Sequence, residues 1–162
     1  MTDKDEFCEQ IRLCERAMYA LAISVVKNDA DAGEVISESI YRAYKNIDTL
    51  KKISSFKSWI LRIVHNTAVE MIRKNSKVMY VDEIMDTPNE GEEDELTTKL
   101  VLREAVKKLK QPYRTTVILF YYENLSLSEI ADITGAGISA VKKQLSRARG
   151  ILYATLKEDF RK

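Results

Sequence analysis

Residues 125–152 read LSLSEIADITGAGISAVKKQLSRARGIL, and the architecture of the chain is worked out from this stretch. Ser126-Leu127-Ser128-Glu129 is a capping box. In such a box a serine hydroxyl and a glutamate carboxylate each satisfy a backbone N–H that an opening helix leaves free. Leu127, Ile130, Ala131 and Ile133 follow at helical spacing. Gly135 falls where the chain must leave that helix, a place that favours positive φ. A second helix is predicted from about Ile138, with Ile138, Val141, Leu145, Ala148 and Leu152 on its inner stripe. Two short helices joined by a glycine-containing turn are the signature of a helix-turn-helix.

The outer face of the second helix decides its chemistry. Lys142, Lys143, Gln144, Ser146, Arg147 and Arg149 lie off the apolar stripe, and Lys143 and Arg147 are neighbours at i, i+4. A helix fits the major groove of B-form DNA, where Lys, Arg, Gln and Ser contact base edges or phosphates. The alternative is a solvated basic helix that binds nothing. The preceding helix and the glycine turn, both in register, favour DNA.

Working outward, an amphipathic helix is predicted over about 95–109 through Leu100, Val101, Ala105 and Leu109, stopped by Gln111-Pro112. A strongly apolar helix follows over about 113–123, YRTTVILFYYE. A β-strand is a competing reading of VILFYY, but no partner strand is evident. Towards the N-terminus three more helical patterns stand out. Residues about 4–27 carry Phe7, Ile11, Cys14, Met18, Leu21 and Val25 on one stripe. Residues about 31–47 carry Ile36, Ile40, Ala43, Tyr44 and Ile47, and residues about 55–75 carry Phe56, Ile60, Ile63, Val64, Thr67, Met71 and Ile72. Each helix can bury its stripe only against the others. The expected fold is therefore all-α, with a three- to four-helix bundle and a four-helix helix-turn-helix domain. Five Gly and two Pro in 162 residues agree with that.

The connector between them is marked by charge. Residues 1–78 hold 13 basic and 11 acidic residues, 79–97 hold eight acidic and no basic ones, and 98–162 hold 13 basic and six acidic ones. A net charge of +1 thus conceals a basic C-terminal domain behind an acidic segment. Pro88, Asn89, Gly91 and the run Glu92–Glu95 break helical periodicity, so 79–97 is expected to be a flexible linker.

Several function classes are set aside. No apolar run approaches the roughly 20 residues that span a bilayer, and MTDKDEFCEQ is too acidic and polar for a signal peptide, so a cytosolic protein is expected. Cys8 and Cys14 are six residues apart and the single His65 is distant from both, which leaves no metal site and no expected cofactor. Reduced thiols fit better than a redox pair. With one His and no glycine-rich phosphate loop, an enzyme has little to build a site from. A ligand-sensing or dimerising helix-turn-helix regulator is the other rival.

The chain resembles the extracytoplasmic-function (ECF) sigma factors, the short class with only the second and fourth sigma regions. Three segments carry the resemblance, in order: DAGEVISESIYRAYKNIDTLK (31–51), FKSWILRIVHNTAVEMIRK (56–74) and LSLSEIADITGAGISAVKKQLSRARG (125–150). It implies sigma region 2 over 1–78, an acidic linker over 79–97 and sigma region 4 over 98–162. The helix from Glu34 to Asp48 resembles the surface that docks on core RNA polymerase, with Glu34, Glu38 and Asp48 at its acidic positions and Thr49 closing it. Ser37 stands where the family often has Gln. The helix from Phe56 resembles the promoter-melting element that reads the −10 sequence. There Asn66 matches the reader of an extruded base, with Trp59 and Arg62 in the same segment. Asn carries both donor and acceptor for a base edge, and an aromatic ring suits an unstacked base; core packing is the alternative for Trp59. Arg62, Arg73, Lys74 and Lys77 are candidate phosphate contacts, with a solvated basic edge as the alternative. Lys142, Lys143, Ser146 and Arg147 match the −35-facing positions. Lys142 replaces a common Arg, and Gly137 stands where Pro or a better cap is common. The linker resembles the segment that threads towards the polymerase active centre. An anti-sigma partner, promoter DNA and a monomeric free state complete what the likeness implies.

Overall fold

The computed structural model describes residues 4–75 and 95–161, with the side chains of 95–97 and 159–161 left aside. Of the expected linker only 95–97 is described, as the start of a helix, and Lys77 also lies outside the described residues. The described residues form seven α-helices and no strand. They gather into two compact units, one built on the first three helices and the other on the fourth, fifth and seventh.

In the N-terminal unit α1 spans Lys4–Val26, α2 Asp29–Lys45 and α3 Phe56–Asn75, and each packs on the other two. α1 ends where Lys27 turns left-handed at φ +67°. Asn28 then caps α2, its side chain accepting from the Asp31 amide at 2.8 Å. That cap starts α2 two residues earlier than the sequence pattern indicates. Asp29 and Asp31 in its first turn and Arg42 and Lys45 in its last complement the helix dipole.

Phe7, Met18, Leu21, Phe56, Ile60, Leu61 and Val64 form the core of the bundle, with Phe7 edge-on to Phe56 at 6.0 Å. α2 corrects the expected stripe. Its buried face is Ala32, Val35, Ser39 and Ala43, whereas Ile36, Ile40 and Ile47 are half-buried and Tyr44 is 47% exposed. Small and medium side chains fill the buried face, and the larger ones lie at its rim. The buried Ser39 hydroxyl is satisfied by donating to the Val35 carbonyl at 2.6 Å. On α3, Leu61 and Ala68 are buried while Ile72, expected inside, is exposed.

In the C-terminal unit α4 spans Glu95–Lys107 and α5 Tyr113–Val117. α5 runs on into a π-helical turn, Ile118–Tyr122, so VILFYY is helical throughout. Glu123 N–H donates to the Ile118 carbonyl at 3.1 Å and Leu125 N–H to the Leu119 carbonyl at 3.0 Å, with Asn124 left-handed between them at φ +56°. Pro112 offers α5 no side-chain cap, and Gln111 takes that part by accepting from the Thr115 amide at 3.1 Å. Ala105, Leu109, Val117, Leu119, Val141, Leu145 and Ala148 are among the buried apolar residues of this unit. α6 spans Leu127–Thr134 and α7 Ile138–Arg161.

Candidate polymerase and nucleic-acid interfaces

The helix-turn-helix is assembled as its sequence dictates. Ser126 Oγ accepts from the Glu129 amide and Glu129 Oε1 accepts from the Ser126 amide, both at 3.1 Å, which is the reciprocal capping box. Gly135 leaves α6 at φ +81°, its amide donating to the Ala131 carbonyl at 2.9 Å. Gly137 caps α7 through its backbone alone, its carbonyl accepting from the Val141 amide at 3.0 Å. Ile138, expected on the inner stripe, is 46% exposed, because at the first helical position it precedes the packed turns of Val141, Leu145 and Ala148.

Lys142, Lys143, Ser146 and Arg147 are all exposed on α7, and no carboxylate among the described residues pairs with the three cations. At i, i+4 spacing they form one basic face. Two residues of the expected outer face have other work. Gln144 is half-buried and its side-chain oxygen accepts from the buried Thr116 hydroxyl at 2.7 Å, tying α7 to α5. Arg149 donates through Nε to the Tyr121 hydroxyl and lies 5.6 Å over that ring. Both bonds are formed with residues some 28 positions away, so helical spacing alone does not signal them.

On α3, Trp59, Arg62 and Asn66 recur at i, i+3 and i+7, which brings them to one side of the helix. Arg62 and Asn66 are exposed and Trp59 is half-buried. The Trp59 indole N–H donates to Thr49 Oγ1 at 3.1 Å, and its ring packs against Phe56 at 5.5 Å. Trp59 is therefore partly core, and it anchors the turn Ile47–Thr49 that carries Asp48 to the start of α3. His65, next to Asn66, is held below its usual pKa chiefly by burial, which the hydrogen bond with Asn66 partly offsets. The imidazole is thus neutral near pH 7, and its buried Nδ1 has no hydrogen-bond partner among the described residues.

On α2, Glu34 and Glu38 are exposed at i, i+4, and Asp48 is exposed in the following turn. Glu38 accepts from Arg42 Nε at 3.1 Å, and Arg42 Nη1 reaches α3 to pair with Glu70 at 2.8 Å. The sequence pattern carries no sign of this bridge, which depends on the approach of two helices. Arg73 and Lys74 are exposed at the end of α3. Cys8 is exposed and Cys14 buried, both as free thiols, with the Cys14 pKa raised mainly by burial. Among the described residues no cluster of His, Cys, Asp and Glu could hold a metal, and no helix is long and apolar enough to cross a membrane.

A helical bundle with an acidic face, joined in sequence to a helix-turn-helix with an unpaired basic face, defines a two-part DNA-binding protein. Comparison with known proteins agrees. Residues 11–78 match sigma-70 region 2 and residues 99–152 match sigma-70 region 4. The chain is 38% identical over 143 residues to the RNA polymerase sigma factor SigV of Bacillus subtilis, covering 87% of this chain and 86% of SigV. It is 28% identical to the ECF RNA polymerase sigma factor SigW of the same organism, covering 96% and 91%. Among solved structures, the sigma factor RpoE of Bartonella quintana, in complex with the anti-sigma factor NepR, superposes with a TM-score of 0.78 at 25% identity, covering 96% of this chain and 98% of RpoE. CnrH, in complex with the cytosolic domain of CnrY, shares the fold with a TM-score of 0.70 at 20% identity, covering 98% and 92%. The chain belongs to the sigma-70 family of RNA polymerase sigma factors, in its extracytoplasmic-function class.

Proposed function

We propose that this chain binds core RNA polymerase in the cytoplasm and directs it to promoters through paired −10 and −35 contacts, under the control of an anti-sigma protein. The observation that carries this reading is the ordered presence of both sigma regions in one chain, with a basic recognition face that no carboxylate of the described residues neutralises. Residues 1–78 form the docking and melting domain, 79–97 the acidic connector and 98–162 the −35-binding domain. Glu34, Glu38 and Asp48 dock on polymerase. Asn66 captures an extruded −10 base, with Arg62 steering the strand and Trp59 bracing the segment. Lys142, Lys143, Ser146 and Arg147 meet the −35 major groove.

No covalent step belongs to the chain, which is not an enzyme and requires no cofactor. Each small domain alone binds DNA weakly, and polymerase holds both at one separation, so the second contact forms at a high effective concentration. Unstacking a base costs a few kcal/mol, which contacts in the bound state offset. The free chain is monomeric in this scheme. An anti-sigma partner is supported by likeness to RpoE, a sigma factor crystallised with NepR.

Run-off transcription with purified core polymerase tests the proposal. Promoter-dependent transcripts that require this chain are expected. DNA binding without polymerase, as a dimer on a palindrome, would contradict it.

A further inference from the structure

The roles assigned to α2 and α3 make no use of Arg42, yet this side chain joins the two helices. Its Nε donates to Glu38 Oε1 at 3.1 Å, and its Nη1 meets Glu70 Oε2 at 2.8 Å and Thr67 Oγ1 at 3.3 Å. Thr67 is buried and itself donates to the Ile63 carbonyl at 2.8 Å, so Arg42 is fastened to the body of α3. The ion pairs Arg12–Glu9 and Lys107–Glu104 each stay within one helix, whereas Arg42 spans two.

The placement of these partners gives the bridge its meaning. Glu34, Glu38 and Arg42 follow one another at i, i+4 and i+8 along α2, which is one stripe of that helix. Arg62, Asn66 and Glu70 do the same along α3. Arg42 therefore connects the stripe that carries the docking carboxylates with the stripe that carries the base-reading asparagine. A guanidinium is suited to this task because its planar fork of five donors can hold two carboxylates and a hydroxyl at once. The bond to Glu70 is also the main reason that the Arg42 pKa is raised. A surface ion pair of no consequence would not need three partners on two helices, one of them a buried threonine.

We propose that Arg42 is a positioning residue that couples polymerase docking on α2 to capture of the −10 base on α3. It holds Glu38 on the docking stripe while fixing the rotation of the stripe that carries Asn66. This rests on the reading of α2 and α3 given above.

The test uses the full chain with core polymerase and a promoter selected by the wild-type holoenzyme. The variants are Glu70→Gln, Arg42→Lys and the two combined. Glu70→Gln keeps core affinity within about twofold of wild type but lowers permanganate reactivity of −10 thymines about fivefold at saturating core. Arg42→Lys weakens both, because Glu38 is released as well. The double variant melts no worse than Arg42→Lys alone, since both substitutions remove one shared bridge. Unchanged melting in both single variants would overturn the proposal, as would equal losses of core affinity and melting in Glu70→Gln. Failure of the wild-type chain to direct core to any promoter would instead defeat the sigma reading itself, before any variant is made.

Discussion

The bundle of α1–α3 and the helix-turn-helix of α6–α7 treat their exposed polar residues in opposite ways. In the bundle some of them are already engaged: Glu38 and Glu70 hold Arg42, and the Trp59 indole holds Thr49. On α7 the candidate contact cations Lys142, Lys143 and Arg147 have no acidic partner among the described residues. Their positions are set indirectly, by the Ser126–Glu129 box, the left-handed Gly135 and the Gln144–Thr116 bond. The difference fits the two proposed tasks. Reading duplex DNA asks for free cations on a well-placed helix, because phosphates supply the partner charge. Capturing a single flipped base asks for side chains that are held before the base arrives.

The largest effect is expected at the aromatic core of the bundle. Phe56 is fully buried between Phe7 and Trp59, and Phe56→Ala should cost about 3–5 kcal/mol. Fluorescence of Trp59, the only tryptophan of the chain, isolates this unit during thermal unfolding. A large fall in its midpoint is expected, with amide exchange in α7 little changed.

A smaller effect should separate neighbours on α7. Gln144→Ala strands the buried Thr116 hydroxyl and should destabilise the C-terminal unit by about 1–3 kcal/mol, with the salt dependence of DNA binding preserved. Lys143→Ala should do the reverse, leaving stability intact and reducing the salt slope by roughly one if it meets a phosphate. If the two variants behaved alike, the division between strut and contact would be lost. Ser126→Ala removes one half of the capping box and should cost about 1 kcal/mol, seen as faster amide exchange at the start of α6.

The smallest effect is a pH drift confined to the bundle. The folded state holds His65 below its ordinary pKa of 6.5, so the unfolded chain binds the proton more readily. Stability is then complete above pH 6.5 and declines as pH falls from there through the lower folded value. His65→Phe should flatten that decline in a Trp59-monitored pH series, and an unchanged slope would remove His65 as its cause.

Local rules made much of this legible. The capping box, the positive φ of Gly135, the helical reading of VILFYY and the seven helices of the described residues follow from spacing and from residues adjacent in sequence. The family resemblance rests on the same ordered segments, and the rival of a ligand-sensing regulator falls with the match of residues 11–78 to sigma region 2. What sequence reading missed depends on tertiary approach. The buried face of α2 is Ala32, Val35, Ser39 and Ala43, so a stripe drawn through its largest apolar residues misses the centre. Gln144 and Arg149 have the composition of DNA contacts, and only the positions of Thr116 and Tyr121 show the internal bonds they also make. The Arg42 bridge is invisible for the same reason, since Glu70 lies 28 residues further along the chain.

The division of labour between the two regions is tested most directly by one pair of measurements on the holoenzyme. Promoter affinity and permanganate reactivity of the −10 region are compared for Asn66→Ala and for the double variant Lys143→Ala/Arg147→Ala, at one salt concentration. Asn66→Ala should bind the promoter almost as wild type yet fail to open it, and the double variant should lose affinity by about 1–3 kcal/mol per base contact while still opening the promoters it occupies. Normal melting by Asn66→Ala together with undiminished promoter affinity of the α7 variant would contradict the account.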